Sequence, residues 1–295
     1  MSAVSSEASP ATGQAQPRAG LRTILSGQRC VRPASVFDPI SARIAEDLGF
    51  ELGMFAGSVA SLTVLGAPDL ILLSLTEFAE QAGRICRAGA LPLLVDADHG
   101  YGNALNVMRT VQELERAGVA GLTIEDTELP AAFGATKATR LIAIEEAVGK
   151  MRAALAARRD AALAVIGRTN AGAADMDETL ARARAYAAAG VDALFFVGLR
   201  SRAQLDAIAA AVALPIMLGS AGAELDDLDY LAQRRVRVCL QGHLPFMAAM
   251  HAVHDTLKAL RDGVPPAKLA NPATRELLDK VTRAKDYDAW LEEFL

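Results

Sequence analysis

Eight short runs of apolar and β-branched residues recur along the chain, each followed by a longer Ala-, Leu-, Glu- and Arg-rich segment with helical spacing. This alternation is the strongest constraint on the fold, because strands joined by helical crossovers pair in parallel, and helices must then cover the sheet. The runs fall at residues 32–38, 52–58, 91–97, 119–125, 163–169, 191–197, 214–219 and 235–241. Gly118, after Glu113–Ala117, and Gly190, after Ala187–Ala189, supply the left-handed residue that closes a helix. Eight strand–helix pairs in about 250 residues predict an α/β fold of the (β/α)8 TIM-barrel type rather than an open doubly wound sheet. Two more helices are expected at 272–283 and 285–294, beyond what a barrel needs to close. Trp290, Phe294 and Leu295 give the last one an apolar character that predicts packing on a neighbouring subunit.

With 295 residues, 52% hydrophobic and 22% charged, the chain has apolar material for one large core, so residues 21–295 read as a single barrel domain with a C-terminal helical extension. Residues 1–20, rich in Ser, Ala, Pro and Gln and without the apolar block of a secretion signal, read as a disordered tail. A net charge of -5, with no basic run longer than Arg234–Arg235, excludes nucleic acid as an expected partner. No apolar stretch approaches the ~20 residues that span a bilayer, so no membrane partner is expected either. Cys30, Cys86 and Cys239 stand far apart, without zinc-site spacing or a disulfide framework, which suits a reducing cytoplasm.

In a barrel the C-terminal ends of the strands meet over one mouth, so the candidate site can be read strand end by strand end. Those ends carry Ser35–Pro39, Gly57–Ser58, Asp96–Asn103, Glu125–Asp126, Arg168–Asn170 and Gln241–His243. Strands must stop somewhere, and Asp, Asn, Ser and Gly also end strands and cap the following helix. That reading leaves Arg168 unexplained, because Arg after the apolar run Leu163–Ile166 is neither a turn former nor a usual cap. It also leaves Asp38, Asp96, Asp98 and Glu125 repelling one another at one mouth, which a hard divalent cation would relieve. Magnesium is the natural candidate. His99, His243, His251 and His254 form no zinc set with cysteine, and the His251/His254 pair reads as helix surface. The string Asp98–Gly102 followed by Glu125 imitates a dinucleotide-binding unit, but Leu105 stands at the third glycine position, where close helix packing needs no side chain.

The segments Ser35–Ala42, Gly57–Ser61, Asp96-Ala97-Asp98-His99-Gly100-Tyr101-Gly102-Asn103, Ile124–Asp126, Arg168–Asn170 and Gly242–His243 together resemble the phosphoenolpyruvate mutase/isocitrate lyase superfamily, and within it the branch that decarboxylates oxaloacetate. The likeness runs from about Arg29 to Tyr287. It implies that Asp96 binds Mg2+ directly, with Mn2+ as a substitute, and that Asp69, Asp98 and Glu125 hold the ion's waters. It further implies that Ser58, with nearby backbone amides, and Arg168 bind the carboxylate of a small 2-oxo acid, that His243 lines the pocket and is a secondary candidate for proton transfer, and that the chain forms a homotetramer with an exchanged C-terminal helix.

Isocitrate and methylisocitrate lyases carry Lys-Lys-Cys-Gly-His in the loop after strand four, where this chain reads Ala131-Ala132-Phe133-Gly134-Ala135, so an acid thiol is missing. The phosphonate-forming mutase has Lys and Asn in that loop; here Lys137 stands without Asn. Near strand seven Ala221 occupies the place where the decarboxylase pattern has a tyrosine, which predicts a roomier pocket. The expected reaction is therefore Mg2+-dependent loss of carbon dioxide from oxaloacetate through an enolate. A related lyase or hydrolase on another 2-oxo or 2-hydroxy acid, or a non-catalytic metabolite-binding barrel, remain the alternatives.

Overall fold

A computed structural model describes residues 12–134, 138–219, 222–270 and 272–295, with the side chains of 12–15 outside the description. Among the described residues, eight parallel strands follow one another in chain order around a single sheet. They are β1 (Ala34–Ser35), β2 (Gly53–Ala56), β3 (Leu93–Asp96), β4 (Gly121–Glu125), β5 (Ala164–Asn170), β6 (Ala193–Val197), β7 (Ile216–Leu218) and β8 (Val236–Cys239). Val31, just ahead of β1, bridges to Val238 and exchanges backbone hydrogen bonds with Arg237 and Cys239 at 2.9 and 3.0 Å, which closes the ring. Each strand lies inside, or within one residue of, the run predicted for it.

The helices are α1 (Thr12–Ser26), α2 (Pro39–Asp47), the single turn α3 (Gly57–Ala60), α4 (Leu75–Cys86), α5 (Ala104–Ala117), α6 (Ile144–Ala157), α7 (Met176–Ala189), α8 (Arg202–Ala211), α9 (Leu228–Gln233), α10 (Leu244–Arg261), α11 (Arg275–Thr282) and α12 (Ala284–Phe294). Gly118 and Gly190 close α5 and α7 at φ 98° and 97°, the left-handed conformation expected of them. The two spare C-terminal helices are present, and Trp290 and Phe294 on α12 and Leu295 just after it are exposed.

The pleat sorts the strand residues into two layers. Met54, Ala56, Leu94, Ala164, Ile166, Ala193, Phe195, Met217 and Val238 fill the barrel interior, where alanines facing Phe195 and Met217 let large and small side chains interlock. Phe55, Val95, Leu122, Ile124, Val165 and Phe196 face outward onto the helices.

Two sequence expectations shift. Residues 1–11 lie outside the described residues, but the tail does not extend to residue 20, because α1 begins at Thr12 and its Leu21 and Leu25 plug the floor of the barrel. Arg18 anchors this helix: it is buried, donates to the carbonyls of Val119 and Glu115 at 3.1 and 2.6 Å, and pairs with Asp160. A Ser- and Ala-rich composition hides such an anchor because the energy lies in long-range partners. The second shift is at 52–58, where the strand stops at Ala56 and Gly57–Ser58 already turn into α3.

Candidate active site

One cavity of about 460 Å³ opens over the C-terminal ends of the strands, and Ser58, Asp69, Asp96, Asp98, Glu125, Arg168 and His243 all line it. The sequence-predicted site residues thus come together on one cavity. Asp96 ends β3, while Glu125 ends β4 and stands opposite Arg168 of β5 in the sheet register. The Arg168 guanidinium lies between the two acids, with Nη1 on Asp96 Oδ2 and Nη2 3.1 Å from Glu125 Oε2. Its carbon sits 5.3 Å from the centroid of the Phe195 ring, which supports the plane from one side. The Nε–H is buried and has no partner among the described groups.

Asp98 occupies a loop whose backbone few sequences allow. Its own φ is +47°, and Gly100, Tyr101 and Gly102 follow at +80°, +61° and +143°. Asp98 and Tyr101 in this region carry strain that a non-glycine residue tolerates only when neighbours hold it. The holding groups are the Glu125 N–H, which donates to Asp98 O at 2.8 Å, Thr110 Oγ1, which donates to Gly100 O at 3.0 Å, and Lys150 Nζ, which donates to His99 O at 3.0 Å. Asp69 arrives from the loop before α4, between Gly66 at φ +63° and Ile71 at φ +58°.

Burial pushes Asp98 well above the usual carboxylate range, and Asp96, Glu125 and Asp69 add to the rise. Burial likewise raises Glu125, against the pull of Arg168, and raises Asp69 with help from Asp96. Among the described lining residues four carboxyl groups share one permanently charged cation, Arg168, so a further cation would favour their ionised forms. No three His, Cys, Asp or Glu side chains among the described residues converge closely enough to ligate one ion by themselves.

His243, at the start of α10, lies 3.0 Å from Ser35 Oγ through Nδ1 and 3.2 Å from Ser58 Oγ through Nε2. Burial lowers its pKa below the ordinary histidine value, outweighing the pull of Asp96 and Asp69. Pro33, Met54, Ile71, Val197 and Leu240 supply apolar wall.

Asp38, grouped with the mouth carboxylates in the sequence reading, is not on the cavity. Its Oδ1 accepts the Ser41 N–H at 2.7 Å as the N-cap of α2, and Asp69 takes the fourth acidic place instead. Asp126 points away from the mouth and is buried against Tyr186 Oη and Arg182 Nη1. His251 and His254 are exposed on α10 and both contact Asp255, far from a chelating role in the cavity. Ala221 and the loop residues Ala135 and Lys137 lie outside the described residues. Sequence reading gave no role to Ser35, Gly57 or Thr123; for Thr123 a signal existed, since it stands two residues before Glu125 and the pleat puts both on one face.

A sequence profile of the phosphoenolpyruvate phosphomutase family matches residues 21–261. A protein of Bradyrhizobium diazoefficiens named oxaloacetate decarboxylase is 63% identical over 273 residues, covering 92% of this chain and 94% of its own length. Among solved structures, oxaloacetate acetylhydrolase in complex with the inhibitor 3,3-difluorooxalacetate superposes with a TM-score of 0.82 at 27% identity, covering 94% of this chain and 97% of the other. Phosphonopyruvate hydrolase in complex with oxalate and Mg2+ superposes with a TM-score of 0.83 at 27% identity, covering 95% and 99%.

Proposed function

Because the chain belongs to the phosphoenolpyruvate phosphomutase family, we propose that it is a carboxy-lyase that converts oxaloacetate to pyruvate and carbon dioxide. The observation that carries this reading is Arg168 held between Asp96 and Glu125 in a cavity lined by four carboxylates, where a small anionic acid needs a fork of donors and the acids need a further cation. Mg2+, with Mn2+ as a substitute, fits the donor set: all are hard oxygens, and their failure to converge as a cage suits an ion that keeps several waters. Asp96 would hold it directly, with Asp69, Asp98 and Glu125 holding its waters. When bound, it supplies a Lewis acid that stabilises the negative charge developing on the C2 oxygen.

The chain's own groups do the remaining work. Ser58 Oγ and the Arg168 guanidinium bind the C1 carboxylate, Arg168 through paired N–H groups that a lysine would not reproduce. His243, whose pKa burial lowers, spans Ser35 and Ser58 and fixes the orientation of the Ser58 hydroxyl. The C3–C4 bond then breaks and the C4 carboxylate leaves as carbon dioxide; the bond's electron pair becomes the C2–C3 double bond, while the C2–O π pair moves onto the oxygen to give the enolate. The enolate takes a proton at C3 from water. No nucleophile or acid thiol is required, in keeping with Ala131–Gly134.

The working unit is a homotetramer in which C-terminal helices are exchanged between subunits, a reading supported by exposed Tyr287, Trp290 and Phe294 on α12. Among the described residues no helix is long and apolar enough to cross a membrane. The test of function is to incubate purified protein with oxaloacetate and Mg2+ and follow the products. Pyruvate above the metal-only background, abolished by excess chelator, is expected. Acetate and oxalate instead would make the enzyme a hydrolase, and no product above background would sink the reading.

A further inference from the structure

Thr123 is fully buried in β4, directly opposite Asp96 in the β3–β4 register, and both side chains point into the barrel. The register places the apolar Ile166 on its other side, so on that flank the hydroxyl has no polar neighbour in register. A hydroxyl buried there is costly unless it finds a partner. Its side-chain hydrogen bond goes to Asp96: Oγ1 donates to Oδ1 at 2.6 Å. Arg168 holds the other oxygen, Oδ2, so the two donors grip the carboxylate from two sides and leave it one orientation. Thr123 itself does not line the cavity.

We propose that Thr123 is a positioning residue, whose hydroxyl sets the orientation in which Asp96 meets a divalent cation. This rests on the reading of Asp96 as the direct ligand. Packing alone does not call for the hydroxyl, since valine has the same branched shape and the same restricted χ1 in a strand. A charge-neutral donor at this place fixes a ligand without competing for it, as groups behind metal ligands commonly do.

The experiment uses chelator-stripped protein and Mn2+ alone as probe, with free Mn2+ read by electron paramagnetic resonance, for wild type, Thr123→Val, Thr123→Ser and Asp96→Asn. Thr123→Val is expected to weaken Mn2+ binding by at least about 10-fold, the usual effect of removing such a group, while Thr123→Ser stays within about 3-fold of wild type. If Thr123→Val does not fold, Thr123→Ala is read in the same assay with the same expectation. Mn2+ affinity in the donor-less variant within about 2-fold of wild type overturns the inference, as does a Thr123→Ser variant as impaired as valine. Asp96→Asn separates the two layers: wild-type Mn2+ binding in that variant defeats the metal reading itself. Loss of Mn2+ there, with retention in Thr123→Val, defeats the positioning role alone.

Discussion

The Asp98 carboxylate rests on the backbone of Gly57: a Cβ built on Gly57 would lie 2.7 Å from Asp98 Oδ1 and 2.8 Å from its Cγ. Gly57 is therefore required by a close approach rather than by its own φ, which is not left-handed. The first residue after β2 thereby sets how far an acid after β3 can reach into the cavity.

Gly57→Ala should displace the Asp98 carboxylate while leaving the barrel folded. The expected result is a fall in kcat/KM of at least about 10-fold, equivalent to about 1.4 kcal/mol, with an unchanged far-UV circular dichroism spectrum. Full activity in the alanine variant would show that Asp98 can move without consequence.

Arg168→Lys keeps one positive charge but cannot reach Asp96 and Glu125 together, as the two Nη groups do. A loss of at least about 10-fold in kcat/KM is expected, about 1.4 kcal/mol of transition-state stabilisation. Kinetics indistinguishable from wild type would remove Arg168 from substrate binding.

Arg182 and Asp126 form a buried ion pair behind the mouth, joined by Tyr186, and Arg182 also donates to Ile142 O at 2.9 Å. Arg182→Ala would leave a buried carboxylate without its cation, which costs about 3–5 kcal/mol. Tyr186→Phe removes one donor only and should cost about 1–3 kcal/mol. Urea unfolding of both variants checks the order; a larger loss in Tyr186→Phe than in Arg182→Ala would refute this account of the cluster.

Burial pushes the Cys30 and Cys86 thiols up to about 12, and raises Cys239 as well. Since the thiolate is the reactive form, iodoacetamide at pH 8 should leave activity intact, and labelling should quicken only as pH rises toward those values. Rapid stoichiometric inactivation at pH 8 would instead point to a working thiol and to lyase chemistry of another kind.

The eight strands, the helix-closing Gly118 and Gly190 and the spare α11 and α12 were legible from sequence, because period, capping and turn preference are local properties written within a few residues of where they act. The specific string Asp96–Asn103 likewise marked the acidic mouth. Which acids share that mouth was decided elsewhere. Asp38 and Asp69 both stand next to a proline, Pro39 and Pro68, yet Asp38 spends its carboxylate on Ser41 while Asp69 is carried over the cavity by its loop. The tail misread at α1 has the same origin, since Arg18 finds Val119, Glu115 and Asp160 about a hundred or more residues away. So does the pairing of Thr123 with Asp96. Strand alternation tells which face a side chain takes, but the neighbour across the sheet depends on the inter-strand register, and only the assembled sheet brings Thr123 and Arg168 from β4 and β5 to the Asp96 carboxylate of β3.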